Sequence, residues 1–65
     1  MLRIKDICVG DLIYVPLNGN HILIMHKDDE RQHLGCRLAK CDITIDIDYK
    51  TVMEMIEHSK WEKVC

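Results

Sequence analysis

The sequence predicts a mainly β domain of the small α+β type, with one short helix between its fourth and fifth strands. One observation is the strict alternation of apolar and polar residues over 42–49, which is the period of a strand with a single apolar face. A second observation is a change to helical spacing directly after it. The residues at that spacing are Tyr49, Val52, Met53 and Ile56.

A hairpin joins the first two predicted strands. Leu12–Val15 is short and β-branched, follows the turn signal around Gly10, and ends at Pro16, which lacks the backbone donor that a central strand needs. Asn18 and Gly19 form a dipeptide that supplies the positive φ angles of a tight turn. We therefore predict that residues 21–26 return as the second strand.

The third strand is predicted to follow a solvated, charged turn over residues 27–31. Along residues 33–40, Leu34, Cys36 and Leu38 share one face, as expected for a half-buried strand. Gly35 interrupts the pattern, and a glycine inside a strand is typical of a bulge or a sharp bend.

The fourth strand and the helix share a boundary near residue 48. The isoleucines of residues 42–49 are expected to point into the core, so that Ile45→Asp should unfold the domain. Asp48 can cap the helix, although Thr51 and Glu54 form a competing capping box. The helix should end near His58, and residues 61–65 should form the last short strand.

This order of elements resembles an SH3-like five-stranded barrel, in which curling of the sheet removes its open edges. Residues 10–15 are also similar to the Gly-Asp lead-in of KOW-type and other SH3-like barrels. The resemblance implies one SH3-like domain over residues 1–65. The glycine spacing that follows in the KOW motif is absent between residues 20 and 25, so the resemblance does not imply nucleic-acid binding.

The composition predicts a single-domain cytoplasmic protein with an aliphatic core. The 65 residues suffice for one domain, and with 5% aromatic residues and no Phe the core must be aliphatic. Nine basic and eleven acidic residues give a net charge of -2 without a charged tail. Charges near Met1 and the lack of a long apolar run predict a cytoplasmic protein without a signal peptide or membrane span.

The four cysteines are expected to be reduced, with no cofactor bound, because the predicted compartment is reducing. One alternative is a disulfide between Cys8 and Cys65 at the two ends of the chain. Another is a zinc site, because thiolates and imidazoles suit tetrahedral zinc. Its candidate ligands are His26, His33, Cys36 and Cys41.

We expect no catalytic site, since a barrel of this size is filled by its own side chains. A Cys/His pair would need Cys36 or Cys41 to be an exposed nucleophile, whereas Cys36 is predicted to face the core. The aspartates of the fourth strand are interpreted as its solvated face, with a divalent cation site as the alternative. These residues are Asp42, Asp46 and Asp48.

The predicted function is that of a small non-enzymatic module that binds a protein or a second copy of itself. In size it is similar to the accessory proteins of phages and mobile elements, which implies an inhibitor or adaptor. Met55 lies off the helical stripe and is expected to be exposed, and the candidate contact residues are Met25, Met55, Tyr14 and Trp61.

Two alternatives remain open. A nucleic-acid-binding barrel would use basic residues beside an aromatic one, and the candidates are Arg31, Arg37 and Lys40. A regulator that binds zinc or a small molecule is the second alternative. Salt dependence separates a nucleic-acid partner from a protein partner, because neutralising phosphates makes affinity fall steeply with ionic strength.

Overall fold

Five antiparallel strands form one sheet with the order β4-β3-β2-β1-β5 in a computed structural model that describes residues 2–64. A single turn of 3-10 helix at Ile4–Asp6 precedes them. The elements are β1 (Leu12–Val15), β2 (Asn20–Asp28), β3 (His33–Leu38), β4 (Thr44–Asp48), α1 (Tyr49–Ser59) and β5 (Glu62–Lys63). The mainly β class and the position of the helix are confirmed. Within residues 2–64, β4 and β5 lie at opposite edges without pairing, so the sheet is open and barrel closure stays a prediction.

The first hairpin forms as predicted, with Gly19 at a φ of 71° in its turn. Strand β2 continues two residues further than predicted, through Lys27 and Asp28. The reason is that the Lys27 ammonium donates hydrogen bonds of 2.9 Å to the carbonyl oxygens of Ile4 and Ile7. These bonds fasten the N-terminal segment to the sheet, so Lys27 is not part of a solvated turn.

The predicted irregularity at Gly35 is present as a shift of register between β2 and β3. Ile24 pairs with Cys36, but His26 pairs with Gly35, so Met25 is the extra residue and lies in β2. The His26 imidazole lies so close to the Gly35 Cα that a Cβ at position 35 would overlap the ring. Glycine is therefore required here by the close approach of a neighbouring side chain.

Asp48 caps α1, as one of the two predicted capping arrangements requires. Its carboxylate accepts a 3.1 Å hydrogen bond from the Thr51 N–H and a 2.7 Å bond from the Thr51 hydroxyl. The helix ends at Lys60, which adopts a left-handed conformation with a φ of 54°. Strand β5 then comprises only two residues, fewer than the predicted 61–65, and Cys65 lies outside the described residues.

The core lies between the sheet and one face of α1. The helix contributes Val52 and Ile56, and the strands and connecting segments contribute the other buried residues. These are Ile7, Ile13, Val15, Ile22, Ile24, Leu34, Cys36 and Trp61. As the composition predicts, the core is almost entirely aliphatic. Over residues 2–64, no helix is long and apolar enough to cross a bilayer.

The predicted burial of Ile43, Ile45 and Ile47 is wrong for two of the three, and Ile43 lies just before β4. Ile43 is 69% exposed and Ile45 is 51% exposed, whereas Ile47 is partly buried. Ile45 pairs with Cys36 and therefore shares its face of the sheet. The predicted facing is right, but only Ile47, which lies next to the start of α1, packs against the core, and the isoleucines farther from the helix along the chain are exposed.

The exposure of the helix methionines is the reverse of the prediction. Met55 is partly buried and packs against the core, while Met53 is 55% exposed. Helical spacing predicts that Met53 lies on the apolar stripe of α1. The part of α1 that is fully buried is narrower than this stripe and contains only Val52 and Ile56.

Candidate functional site

An exposed apolar surface continues the core face of the sheet toward its β4 edge. It consists of Leu38, Ile43 and Ile45, which we call the open patch. Because residues of neighbouring strands that pair directly point to the same side, Ile45 extends a row that begins with buried Ile24 and Cys36. The side chains of this row are apolar throughout, from the buried core to the solvent-exposed edge strand.

A shallow groove of about 200 Å³ adjoins the open patch at Leu38. Its other walls are the β1–β2 turn and the turn that follows β3, including His21 and Lys40. Leu38 and Ala39 contribute aliphatic side chains to the groove, and its other lining residues are small or polar. It enlarges the surface on which an apolar side chain of a partner could rest.

The opposite face of β4 carries the polar contacts that hold the strand in place. The His26 Nε2 lies 2.7 Å from the Asp46 carboxylate, after crossing Gly35 on the intervening strand. On the neighbouring turn, Arg37 donates a 2.9 Å hydrogen bond to the Cys41 carbonyl oxygen and a 3.0 Å bond to Asp42. Each bond ties the β4 side of the sheet to β2 or β3.

Two further contacts fix the junction of β4 and α1. The Thr51 hydroxyl and backbone N–H hold the pKa of Asp48 below its usual value. The Tyr49 hydroxyl donates a 2.6 Å hydrogen bond to Asp29, and partial burial together with this bond raises the pKa of Tyr49 to about 12. Asp48 is therefore ionised and Tyr49 is protonated near neutral pH.

The four predicted contact residues do not form one surface. Trp61 is 3% exposed and belongs to the core, so its prediction as a contact residue is wrong. Tyr14 is partly buried beside His21, with ring centroids 5.0 Å apart. Met25 is exposed at the β2 bulge, whereas Met55 packs inward. Of the four, Met25 alone is exposed, at 39%.

The candidate residues for nucleic-acid binding are also dispersed. Arg31 lies in the turn before β3 and Lys40 in the turn after it, so they occupy opposite ends of that strand. Arg37 is already bonded to Asp42. A phosphate backbone would therefore meet separate charges here, without the clustered basic surface that such partners bind.

The four candidate zinc ligands do not converge. His26 is paired with Asp46 on one face of the sheet, while Cys36 is buried on the other. Burial, with a contribution from the Asp46 charge, raises the pKa of Cys36 to about 11, which disfavours the thiolate that binds metal. Among the described residues, no group of three His, Cys, Asp or Glu side chains could hold a metal ion.

The remaining thiols and aspartates have separate positions. Cys41 is exposed in the turn after β3 and is not joined to Cys36. The alternative Cys8–Cys65 disulfide involves a residue outside the described range. The three aspartates predicted as a row have different partners, so they are not a shared cation site. The pairs are Asp42 with Arg37, Asp46 with His26, and Asp48 with Thr51.

A second apolar groove, of about 410 Å³, lies between α1 and the segment that begins at Leu2. It includes exposed Met53 and the edge of buried Ile56. The residues of this second groove therefore also cover the core. The residues of the open patch, in contrast, lie outside the core.

Comparison of the chain with models of protein families, with curated proteins and with solved structures found no match. The site is therefore described by its own geometry. The residues that sequence reasoning missed are those of the open patch, because alternation identifies an apolar face but not whether another element covers it. The signal available in the sequence was the start of α1 directly after Asp48, because a helix that begins there lies closer to Ile47 than to Ile43 or Ile45.

Proposed function

We propose that the protein is a small non-enzymatic module that binds another protein through the open patch. The observation that supports this proposal is the exposure of Ile43 and Ile45 beside Leu38 at an edge strand. Contiguous apolar surface with a polar border is typical of protein interfaces. The border here is formed by charged residues of the β3–β4 turn and of the other face of the sheet, including Asp42 in the turn and Arg37 in β3.

The edge position adds to the argument. Natural sheets protect exposed edges with proline, inward-pointing charges or a covering loop. Strand β4 contains no proline, and the side chains of Ile45 and Ile47 alternate with polar ones along all five of its residues. Asp46 and Asp48 place negative charge on this edge, which disfavours pairing with another acidic strand but not with a strand of complementary charge. An inhibitor or adaptor of larger machinery is the kind of role that we propose for the protein.

The test compares two variants that add the same charge at exposed apolar positions. Ile45→Lys changes the open patch, and Leu17→Lys changes a residue of the β1–β2 turn that is 75% exposed. Immobilised wild-type protein and both variants are incubated with nuclease-treated lysate of the cells in which the protein occurs. We expect wild type and Leu17→Lys to retain one partner protein that Ile45→Lys loses.

Three results would contradict the proposal. They are retention of the same partner by Ile45→Lys, absence of any retained protein, and a partner that is retained from untreated lysate but not from nuclease-treated lysate. Circular dichroism of both variants provides the folding control, because a partner lost through unfolding says nothing about the surface.

A further inference from the structure

We propose that the free edge of β4 accepts an extended segment of another protein as an additional antiparallel strand. The segment is expected to alternate lysine or arginine with apolar residues. This inference rests on the protein-binding function proposed above and adds the mode of binding and the chemistry of the partner. It depends on which backbone groups are free at the edge and on which side chains flank them.

The backbone groups of Thr44 and Asp46 point away from the sheet. The Tyr49 N–H donates a 2.7 Å hydrogen bond to the Gln32 carbonyl oxygen on the β3 side. Because backbone groups alternate in direction along a strand, those of Ile45 and Ile47 also point toward β3. Thr44 and Asp46 therefore present their N–H and C=O groups to the side where, within residues 2–64, no strand pairs.

The pairing of β2 with β3 independently shows that the backbone groups of Thr44 and Asp46 point away from the sheet. The Ala39 N–H donates a 3.0 Å bond to the His21 carbonyl oxygen, so the backbone groups of Ala39 and Arg37 point toward β2. Those of Cys36 must then point toward β4, where Ile45 is its partner. Ile45 thus bonds inward, and its neighbours along β4 bond outward.

The side chains that flank this edge define what an added strand must carry. Residues that pair directly across two antiparallel strands point to the same face. A residue opposite Ile45 would lie beside the open patch and should be apolar. Residues opposite Asp46 or Thr44 would lie on the face that carries Asp42, Asp46 and Asp48. Arg37, the neighbour of Thr44 on β3, is paired with Asp42 on this face, so the aspartates outnumber the arginine. Lysine or arginine is complementary to that face.

Charge also argues against a second copy of this chain as the occupant. Antiparallel pairing of β4 with itself about its centre would place Asp46 directly opposite Asp46, and like charges in that position are destabilising. A basic partner strand has no such conflict.

The backbone part of the proposal is tested with two variants at one position. Thr44→Pro removes an edge-facing N–H but no bond to β3, and Thr44→Ala keeps the N–H. The probe is a fluorescent peptide that alternates lysine and valine, and its affinity is measured by anisotropy. We expect Thr44→Pro to bind it about two- to tenfold more weakly than Thr44→Ala. Hydrogen exchange at the Thr44 and Asp46 amides should slow in the wild-type complex.

The charge part uses Thr44→Lys and Thr44→Glu, which change the charge on the aspartate face without removing the His26–Asp46 pair. We expect Thr44→Glu to bind the lysine-valine peptide about two- to fivefold more tightly than wild type, and Thr44→Lys to bind it more weakly by a similar factor. A peptide that alternates glutamate and valine should show the opposite order.

A third peptide has the same lysine and valine content arranged in two blocks, and it tests whether alternation matters. The inference is overturned if this peptide binds as tightly as the alternating one, if Thr44→Pro binds like Thr44→Ala, or if no peptide binds. Dimerisation of the protein alone that Thr44→Pro abolishes would also overturn it, by identifying a second copy as the occupant. Each of these outcomes leaves the proposed function standing, provided that Ile45→Lys still loses its protein partner.

Discussion

The two sides of the sheet are stabilised in different ways, although both present isoleucine to the same face. On the β1–β2 side, which we call the covered half, Ile13, Ile22 and Ile24 are buried in the core. On the β4 side, the open half, Ile43 and Ile45 are mostly in contact with solvent. The covered half is thus stabilised by removal of apolar surface from water.

The open half depends on hydrogen bonds and ion pairs instead. Strand β4 is held by its ladder with β3, by the His26–Asp46 pair, and by the Asp48 cap that joins it to α1. These contacts position the strand without covering its isoleucines. The difference teaches that a strand with an apolar face can be kept ordered by polar contacts and still retain that face for a partner.

The largest expected difference is between two identical substitutions, one in each half. Ile24 is 1% exposed, so Ile24→Asp should unfold the protein, because burying an unpaired carboxylate exceeds the roughly 5 kcal/mol available to a domain of this size. Ile45→Asp should remain folded and cost about 1 kcal/mol, in contrast to the sequence-based expectation. Thermal unfolding followed by circular dichroism measures both, with Ile24→Val as the conservative control. Unfolding of Ile45→Asp would mean that the open half contributes to the core.

A smaller effect is expected where a polar contact fastens the open half. Gly35→Ala should cost about 1–2 kcal/mol, because the new methyl group displaces the His26 ring from its place over position 35. In a His26→Ala background the same substitution should instead stabilise by about 0.5 kcal/mol, since alanine restricts the unfolded chain more than glycine does. Urea unfolding of the four proteins measures the coupling. Equal effects in both backgrounds would show that the ring contact is not the reason for glycine.

Acid is expected to weaken both halves through a different aspartate in each. In the covered half, a hydrogen bond from the Cys8 N–H lowers the pKa of Asp11, which also pairs with Lys63 at 3.2 Å. In the open half, Thr51 lowers the pKa of Asp48. A lowered pKa in the folded state gives stability that is present above ~pH 3.8 and lost as the pH falls through the folded pKa.

Urea midpoints measured across this acidic range check the expectation. Asp48→Asn should reduce the loss of urea midpoint at acidic pH that comes from the open half. Asp11→Asn should reduce the loss that comes from the covered half. A profile that is unchanged in both variants would contradict it.

The smallest effect concerns the thiols at the boundary between the halves. The folded pKa of Cys36 is about 11 against an unfolded value of 9.0, so its contribution to stability is complete below pH 9 and is lost as the pH rises toward 11. Near neutral pH, iodoacetamide should modify exposed Cys41 much faster than Cys36. Mass spectrometry of a Cys65→Ser variant follows each thiol. Equal rates at Cys36 and Cys41 would indicate that the open half separates readily from the core.

Local sequence chemistry determined most elements of this protein. Gly19 fixed the first turn, Asp48 fixed the start of α1, and the alternation of residues 42–49 fixed which side of β4 is apolar. Each of these depends on dihedral angles or hydrogen bonds between residues close in the chain, so no distant part of the molecule was needed to predict it.

Burial was decided by the tertiary structure alone. Whether Ile45 is covered depends on where α1 packs against the sheet, and whether Lys27 is solvated depends on carbonyl groups twenty residues earlier in the chain. The exchange of roles between Met53 and Met55 depends on the rotation of α1 about its own axis when it packs. Periodicity fixes the direction of side chains relative to their own strand or helix, but the presence of a second layer is a long-range contact that no local pattern contains.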